Sequence, residues 1–172
     1  MVGSSHVKRL IDYIRRNGGR SRLPLPLKCI ALPGGRLEHL PVLLRAYVQP
    51  AETGYLLFQI GGNDVGAFPE TEWVRALEEG VSFAGARFPG LRLIWSDMFP
   101  RFSWWYKTPE ACAAHRARLQ RKARGVIYAS GGWVFRHTSV LANMIRADGV
   151  HLTNAGNRAF LRDLEEAFRR LA

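Results

Sequence analysis

A run of apolar residues from Tyr55 to Ile60, Tyr-Leu-Leu-Phe-Gln-Ile, leads directly into Gly61-Gly62-Asn63-Asp64. A strand that is apolar at nearly every position is typical of a parallel sheet covered by helices on both faces. The two glycines let the chain turn where the strand ends. Because open α/β sheets bind ligands beyond the carboxyl ends of their strands, the run predicts an α/β fold with a site near Asn63.

Short β-like runs alternate with longer helical patterns along the rest of the chain, which favours a parallel α/β sheet. We predict helices over residues 5–17, 37–48, 70–88, 109–129 and 155–171, and strands over residues 27–32, 55–60, 91–96 and 133–136. Only Met1 and Val2 precede Gly3, whereas a strand usually has about five or six residues. We therefore expect a truncated first strand, and favour a fragment or a mis-started gene model over a natural shortening.

Length and composition fit one globular domain that spans residues 1–172, because 47% of the residues are hydrophobic. No apolar run reaches the length of about 18 residues that a membrane span needs, and no secretory signal is visible. Cys29 and Cys112 lie far apart and match no metal or redox spacing. We expect reduced thiols in an intracellular, cytoplasmic protein, with a disulfide as the less favoured alternative.

The net charge of +11 is large for this length, and 21 of the 25 basic residues are arginine. The favoured interpretation is that these arginines lie on solvated helix faces. The alternative is contact with nucleic acid or another polyanion, although no zinc-finger, RNP or helix-turn-helix signature supports it. The arginine clusters are Arg15, Arg16, Arg20 and Arg22, then residues 116–124, then Arg169 and Arg170.

The N-terminal block Gly3-Ser4-Ser5-His6 places a serine where a strand turns into a helix. The unpaired backbone N–H groups and partial positive charge of a helix N-terminus suit an oxyanion, so Ser5 is a candidate nucleophile. On this tetrapeptide alone, a helix N-cap at Ser4 or Ser5 is the favoured alternative.

The block around Asn63 offers a side-chain amide N–H that can donate to a developing oxyanion. An ordinary Asx-type turn is favoured when this motif is seen alone.

The block Asp148-Gly149-Val150-His151-Leu152 places an acid three residues before a histidine, in a loop that enters the last helix. That spacing lets a carboxylate hold one ring nitrogen while the other ring nitrogen faces a serine. A surface turn with an incidental histidine is an equally favoured alternative. Of the other histidines, His115 is expected to be solvated in its arginine-rich helix. His137 follows the last predicted strand, and a place at a site edge is its less favoured interpretation.

Taken in order, these blocks resemble those of the SGNH (GDSL-type) hydrolase family. Ser5 matches the nucleophile of the first block, Asn63 the asparagine of the third, and Asp148 with His151 the final Asp-x-x-His. The glycine of the second block matches Gly34 or Gly35, with Gly35 preferred.

The resemblance spans nearly the whole chain and implies a flavodoxin-like three-layer α/β/α sandwich. It also implies hydrolysis of small acyl esters without a metal or an organic cofactor. In that mechanism Ser5 attacks, His151 acts as base and then acid, and Asp148 orients it. The oxyanion hole would consist of the N–H of Ser5, the N–H of Gly35 and the amide of Asn63.

Two features depart from the family or go beyond it. Ser4 stands where the family has the Asp of Gly-Asp-Ser, which braces the turn, so activity could fall without a change of mechanism. The segment from Trp95 to Arg101, together with residues 131–137, more loosely resembles SGNH-like domains encoded by vertebrate retroelements. The alternative function is therefore a weak or inactive SGNH-fold module of a mobile-element-type protein that binds nucleic acid through its arginines.

An aromatic segment follows the strand predicted over residues 91–96. It forms either an apolar wall for an acyl chain or a hydrophobic loop that packs over the sheet or against a partner. Its members are Phe99, Phe102, Trp104, Trp105 and Tyr106.

Overall fold

The computed structural model describes residues 1–18, 22–23, 26–49, 54–105 and 107–171. Two residues that entered the predictions, Arg20 and Tyr106, lie outside the described residues.

Within those ranges, five strands form a parallel sheet in the order β2-β1-β3-β4-β5, and five α-helices connect or follow them. The strands are β1 Val2–Gly3, β2 Ile30–Ala31, β3 Tyr55–Gln59, β4 Arg92–Ser96 and β5 Trp133–Phe135. The helices are α1 Ser5–Arg16, α2 Leu40–Tyr47, α3 Glu70–Arg87, α4 Pro109–Ala129 and α5 Asn154–Leu171. The predicted parallel α/β class is confirmed.

Two predicted elements differ from the structure. The helix predicted over residues 37–48 is divided into a 3₁₀ turn, Leu37–His39, and α2. Pro41 lies in the first turn of α2, the place where a missing N–H costs nothing. The strand predicted over residues 27–32 is only the two-residue β2, because the sheet partner of β2 is itself two residues long.

Strand β1 is short, as expected, and it lies inside the sheet between β2 and β3. Val2 is in register with Ile30 of β2 on one side and with Phe58 of β3 on the other. Further hydrogen bonds hold the segment, since the N–H of Ile30 donates to the carbonyl of Met1 at 2.8 Å and that of Leu32 to the carbonyl of Gly3 at 2.9 Å.

Helices cover both faces of the sheet, which explains why β3 is apolar at nearly every position. Leu56 and Phe58 point into one core, with helices α2, α3 and α4. Leu57, the residue between them, points into the other core, with α1 and α5. The predicted three-layer α/β/α arrangement follows from this alternation.

Gly3 brings β1 close enough to β3 to start α1 beside the end of that strand. A Cβ atom on Gly3 would lie 2.4 Å from the carbonyl oxygen of Gln59 and 2.4 Å from Cγ2 of Val7. The N–H of Ser4 also donates to the carbonyl of Gln59 at 3.2 Å. The turn that carries Ser5 and the turn that carries Asn63 therefore leave the same edge of the sheet side by side.

Candidate functional site

Ser5 is the first residue of α1, directly after the Gly3 turn. Ser4 occupies the N-cap position with extended backbone dihedrals, but its side chain makes no capping hydrogen bond. Ser5 Oγ lies instead 3.1 Å from Nε2 of His151. The N–H of Ser5, at the first helical position, has no acceptor within the helix by geometry.

His151 and Asp148 form the contact that their spacing predicts. Nδ1 of His151 lies 3.0 Å from Oδ2 of Asp148. The other carboxylate oxygen accepts 2.9 Å hydrogen bonds from the N–H groups of Val150 and His151. Ser5, His151 and Asp148 are thus linked in one chain of hydrogen bonds that spans 146 residues of sequence.

The charge states of this pair suit proton transfer at neutral pH. Burial would raise the pKa of Asp148, but the hydrogen bonds from the His151 N–H, the Val150 N–H and the imidazole outweigh it and hold that pKa well below its usual range. The pKa of His151 is lowered, mainly by burial and further by Arg9 and Arg101, although Asp148 partly offsets this. A carboxylate therefore faces a neutral imidazole whose other nitrogen can accept a proton.

The loop before α5 holds this pair by local hydrogen bonds. The N–H of Arg146 donates to the carbonyl of His151 at 2.7 Å. Thr153 Oγ1 accepts from the N–H of Gly156 at 3.1 Å, the pattern of a helix N-cap. The imidazole is thereby presented from the start of a capped helix.

Asn63 lies against the second-block glycine. Its Nδ2 donates to the carbonyl oxygen of Gly35 at 3.0 Å. The N–H of Gly35, which the resemblance assigned to an oxyanion, donates to the carbonyl of Leu32 at 2.8 Å in a turn where Gly34 has φ +73°. Gly35 thus meets Asn63 through its carbonyl, while its own N–H already has an acceptor.

Arg101 contacts Asn63 in the same cluster, although the sequence did not predict it as a site residue. Its Nη1 donates to Oδ1 of Asn63 at 3.1 Å. The signal in the sequence that could have indicated it is its place within the aromatic segment, shortly after the strand predicted over residues 91–96.

Asp64, the residue after Asn63, is buried and accepts a hydrogen bond from the N–H of Leu37 at 3.3 Å. Burial raises the pKa of Asp64 to about 7, although that hydrogen bond opposes the change.

One of the other histidines, His115, differs from expectation. His115 was expected to be solvated, but it is only 5% exposed and its Nδ1 accepts from the N–H of Gly66 at 3.2 Å. That expectation was wrong because His115 lies on the face of α4 that packs against the sheet. His137 contacts Ser96 Oγ through Nε2 at 2.8 Å.

His6, the neighbour of Ser5, is buried with its ring centroid 5.7 Å from that of His151 and 5.0 Å from that of Phe99. Burial, followed by the charge of Arg101, lowers its pKa well below the ordinary value. His6 is therefore neutral and packs against the ring of His151.

The described members of the aromatic segment, residues 99–105, do not form one continuous surface. Phe99 belongs to the core under α1 and α5, whereas Trp105 is 88% exposed and Phe102 is also exposed. A cavity of about 10 Å³ beside Ser4 and His6 holds no room for an acyl chain. Two larger cavities, of about 590 and 510 Å³, are not lined by Ser5, Asn63 or His151.

The arginines are spread over both helix layers. Arg15 and Arg16 end α1, and Arg169 and Arg170 end α5 in the same layer, whereas the cluster of residues 116–124 lies on α4 in the other layer. Several are paired with carboxylates: Arg118 with Glu70, Arg124 with Asp97 and Arg170 with Glu166. Contact with nucleic acid stays a prediction.

Among the described residues, no helix combines the length and apolarity needed to cross a membrane, and no group of three or more His, Cys, Asp or Glu side chains could hold a metal ion. Cys29 and Cys112 are both free thiols.

No protein-family model and no curated protein matches the sequence. Solved structures do match over nearly the whole chain. A GDSL-like lipase from Bacteroides thetaiotaomicron aligns with a TM-score of 0.75 at 16% identity, over 99% of this chain and 87% of that one. A carbohydrate esterase family 3 protein from Talaromyces cellulolyticus has a TM-score of 0.70 at 16% identity, over 99% and 96% of the two chains.

The OSK domain of Drosophila Oskar is also similar, with a TM-score of 0.71 at 13% identity over 96% of this chain and 86% of that one. Together with the five-stranded parallel sheet, these matches show that the chain has the SGNH-type hydrolase fold.

Proposed function

We propose that this protein is a serine hydrolase of the SGNH type that cleaves small acyl esters. The observation that carries the proposal is the continuous contact from Ser5 Oγ through the imidazole of His151 to the carboxylate of Asp148, with distances of 3.1 and 3.0 Å. A base within hydrogen-bond reach of a hydroxyl, and itself oriented by a third group, is the arrangement that activates a serine nucleophile.

In the first half-reaction, Ser5 Oγ attacks the acyl carbonyl carbon while His151 Nε2 takes the hydroxyl proton. Asp148 holds the opposite nitrogen protonated and stabilises the imidazolium that forms. The tetrahedral intermediate collapses as His151 gives its proton to the leaving alcohol. Water then attacks the acyl-enzyme with His151 again as base, which releases the carboxylic acid and restores Ser5.

The oxyanion would be stabilised by the N–H of Ser5 and by the side-chain amide of Asn63. One amide hydrogen of Asn63 goes to the carbonyl of Gly35, and the amide nitrogen carries a second hydrogen that can face the oxyanion. Gly35 can contribute its N–H only by giving up or sharing its bond to Leu32. We therefore assign it a smaller part than the other two donors.

The substrate class is proposed on the similarity of the fold to esterases. A carbohydrate esterase family 3 protein and GDSL-like lipases are among the solved structures that match over nearly the whole chain. A small ester with an unhindered acyl carbonyl is the substrate class proposed for Ser5.

The decisive experiment is covalent labelling with a fluorophosphonate probe. The wild-type protein should be labelled, and Ser5→Ala should not. Ser4→Ala is the matched control, because its side chain makes no capping hydrogen bond and it lies one residue away. A folded wild-type protein that takes up no probe, or a Ser5→Ala variant that is still labelled, would overturn the proposal.

A further inference from the structure

Arg101 is a buried cation without an ion pair. Arg101 as a whole residue is only 7% exposed. No carboxylate oxygen of the described residues lies within 4.0 Å of its guanidinium nitrogens. An unpaired buried charge is costly for stability, so the groups around the guanidinium have to replace part of the solvation that it loses.

Three neighbours hold the guanidinium in one place. Nη1 donates to Oδ1 of Asn63 at 3.1 Å. Gly62 leaves the necessary space, since a Cβ atom there would lie 2.8 Å from Nη2. The ring of Trp104 lies 5.6 Å from Cζ, within range of a cation–π contact.

These contacts determine which way the amide of Asn63 points. A guanidinium has five donors and no acceptor, so only Oδ1 can face Arg101. The carbonyl oxygen of Gly35 can only accept, so only Nδ2 can face it. A flipped amide would exchange two hydrogen bonds for two repulsive contacts.

The positive charge persists at neutral pH. Burial lowers the pKa of Arg101 to about 10, and Asp64 opposes that change. Because the pKa of Asp64 is itself about 7, its carboxylate offsets the guanidinium only in part. Asn63 therefore donates from an amide that is polarised by a fixed cation behind its oxygen.

We propose that Arg101 is a positioning residue of this site, which fixes the amide of Asn63 with its N–H toward the oxyanion and strengthens that N–H as a donor. The inference rests on the proposed serine hydrolase function. Arg101 acts on the oxyanion through Asn63 and does not touch the substrate. Its loss should therefore lower kcat with little change in KM. The charge of Arg101 also lowers the pKa of His151, so its variants are compared at pH 8, where the imidazole is neutral with or without that charge.

A double-mutant cycle tests this role with p-nitrophenyl acetate as substrate. Arg101→Met keeps an unbranched side chain about as long as the stem of arginine and removes the charge and the hydrogen bond. It should lower kcat roughly 10- to 100-fold, below the loss for removing a whole donor. In an Asn63→Ala background the same change should alter kcat by less than about 2-fold, because residues that act through one another are non-additive. Arg116→Met is the matched control, since Arg116 donates to the carbonyl of Met98 and to Gln120 and not to Asn63.

A second readout does not depend on activity. The side-chain amide resonances of Asn63 in a ¹⁵N–¹H spectrum should shift, and the amide protons should exchange faster, in Arg101→Met but not in Arg116→Met. If the wild-type protein hydrolyses no ester while these resonances respond, the contact stands and the proposed function fails. Equal losses of kcat in both backgrounds, or unchanged Asn63 resonances in a folded Arg101→Met protein, would overturn the role of Arg101.

Discussion

The carbonyl oxygen of Gly149 accepts a 2.7 Å hydrogen bond from the N–H of Phe102. The N–H of Ser103 donates to the same oxygen at 3.2 Å. These bonds tie the loop of Asp148 and His151 to the aromatic segment after β4. The position of the imidazole therefore depends on a contact between two loops, as well as on its own short motif.

We expect Gly149→Ala to displace this loop. Gly149 has φ +70°, and a Cβ atom there would lie 2.8 Å from Cβ of Ser103. The rate of fluorophosphonate labelling should fall by at least about 10-fold, since small misplacements of catalytic groups have effects of this order or larger.

Gly90→Ala is the control for the backbone contribution to that loss. Gly90 has φ +82°, but nothing lies within 4 Å of its added Cβ. Both variants should lose thermal stability through the left-handed backbone, and only Gly149→Ala should also lose labelling. Equal labelling by the two proteins would contradict the role of the loop contact.

Asp148→Asn should lower kcat by about 10⁴-fold, because an amide no longer selects the productive tautomer of His151. The N–H groups of Val150 and His151 can still donate to the amide oxygen, so the fold should be retained. Steady-state hydrolysis of p-nitrophenyl acetate with circular dichroism checks both statements. Asp12→Asn serves as the matched control, since that carboxylate pairs with Lys8 on α1 and should leave the rate unchanged.

The pH dependence of kcat/KM should report His151. Because the pKa of His151 is lowered, kcat/KM should fall on the acid side with a midpoint below the ordinary histidine pKa of about 6.5. This fall is called the acid limb. Removing the positive charge in Arg9→Gln makes the imidazolium easier to form, so the limb should move to higher pH. Arg169→Gln at the end of α5 should leave it in place, and a shift to lower pH in Arg9→Gln would contradict this account.

Asp64 should make the protein less stable as the pH rises from about 4 to about 7. Its pKa is about 7 in the folded protein against 3.8 for the unperturbed group, so the folded state binds more protons across this window. Stability then falls as the carboxyl ionises and changes no further above pH 7.

Asp64→Asn tests that contribution, because an amide oxygen can still accept from the N–H of Leu37. The melting temperature of Asp64→Asn minus that of the wild type should be larger at pH 8 than at pH 5. The melting temperature measured at both pH values decides the matter, and a constant difference between the two proteins would contradict the raised pKa.

Local structure was largely predictable from the sequence. The helix predicted over residues 109–129 has those bounds in α4, which begins with Pro109 at its first position and with Thr108 Oγ1 accepting from the N–H of Ala111 at 3.3 Å. The apolar run from Tyr55 predicted a strand with two covered faces, and β3 has them. Such signals are readable because capping and apolar periodicity act between residues close in sequence.

The sequence by itself thus determined the parallel α/β class, most element bounds and the spacing of Asp148 to His151. The family resemblance implied that Ser5 pairs with His151, and the tertiary structure brings the two atoms to 3.1 Å across 146 residues. Only the tertiary structure decided that Arg101 lies behind Asn63 and that His115 is buried. The physical reason is that these contacts depend on strand order and on how loops from different strands meet at one edge of the sheet. Neither property is encoded in the local pattern around any of these residues.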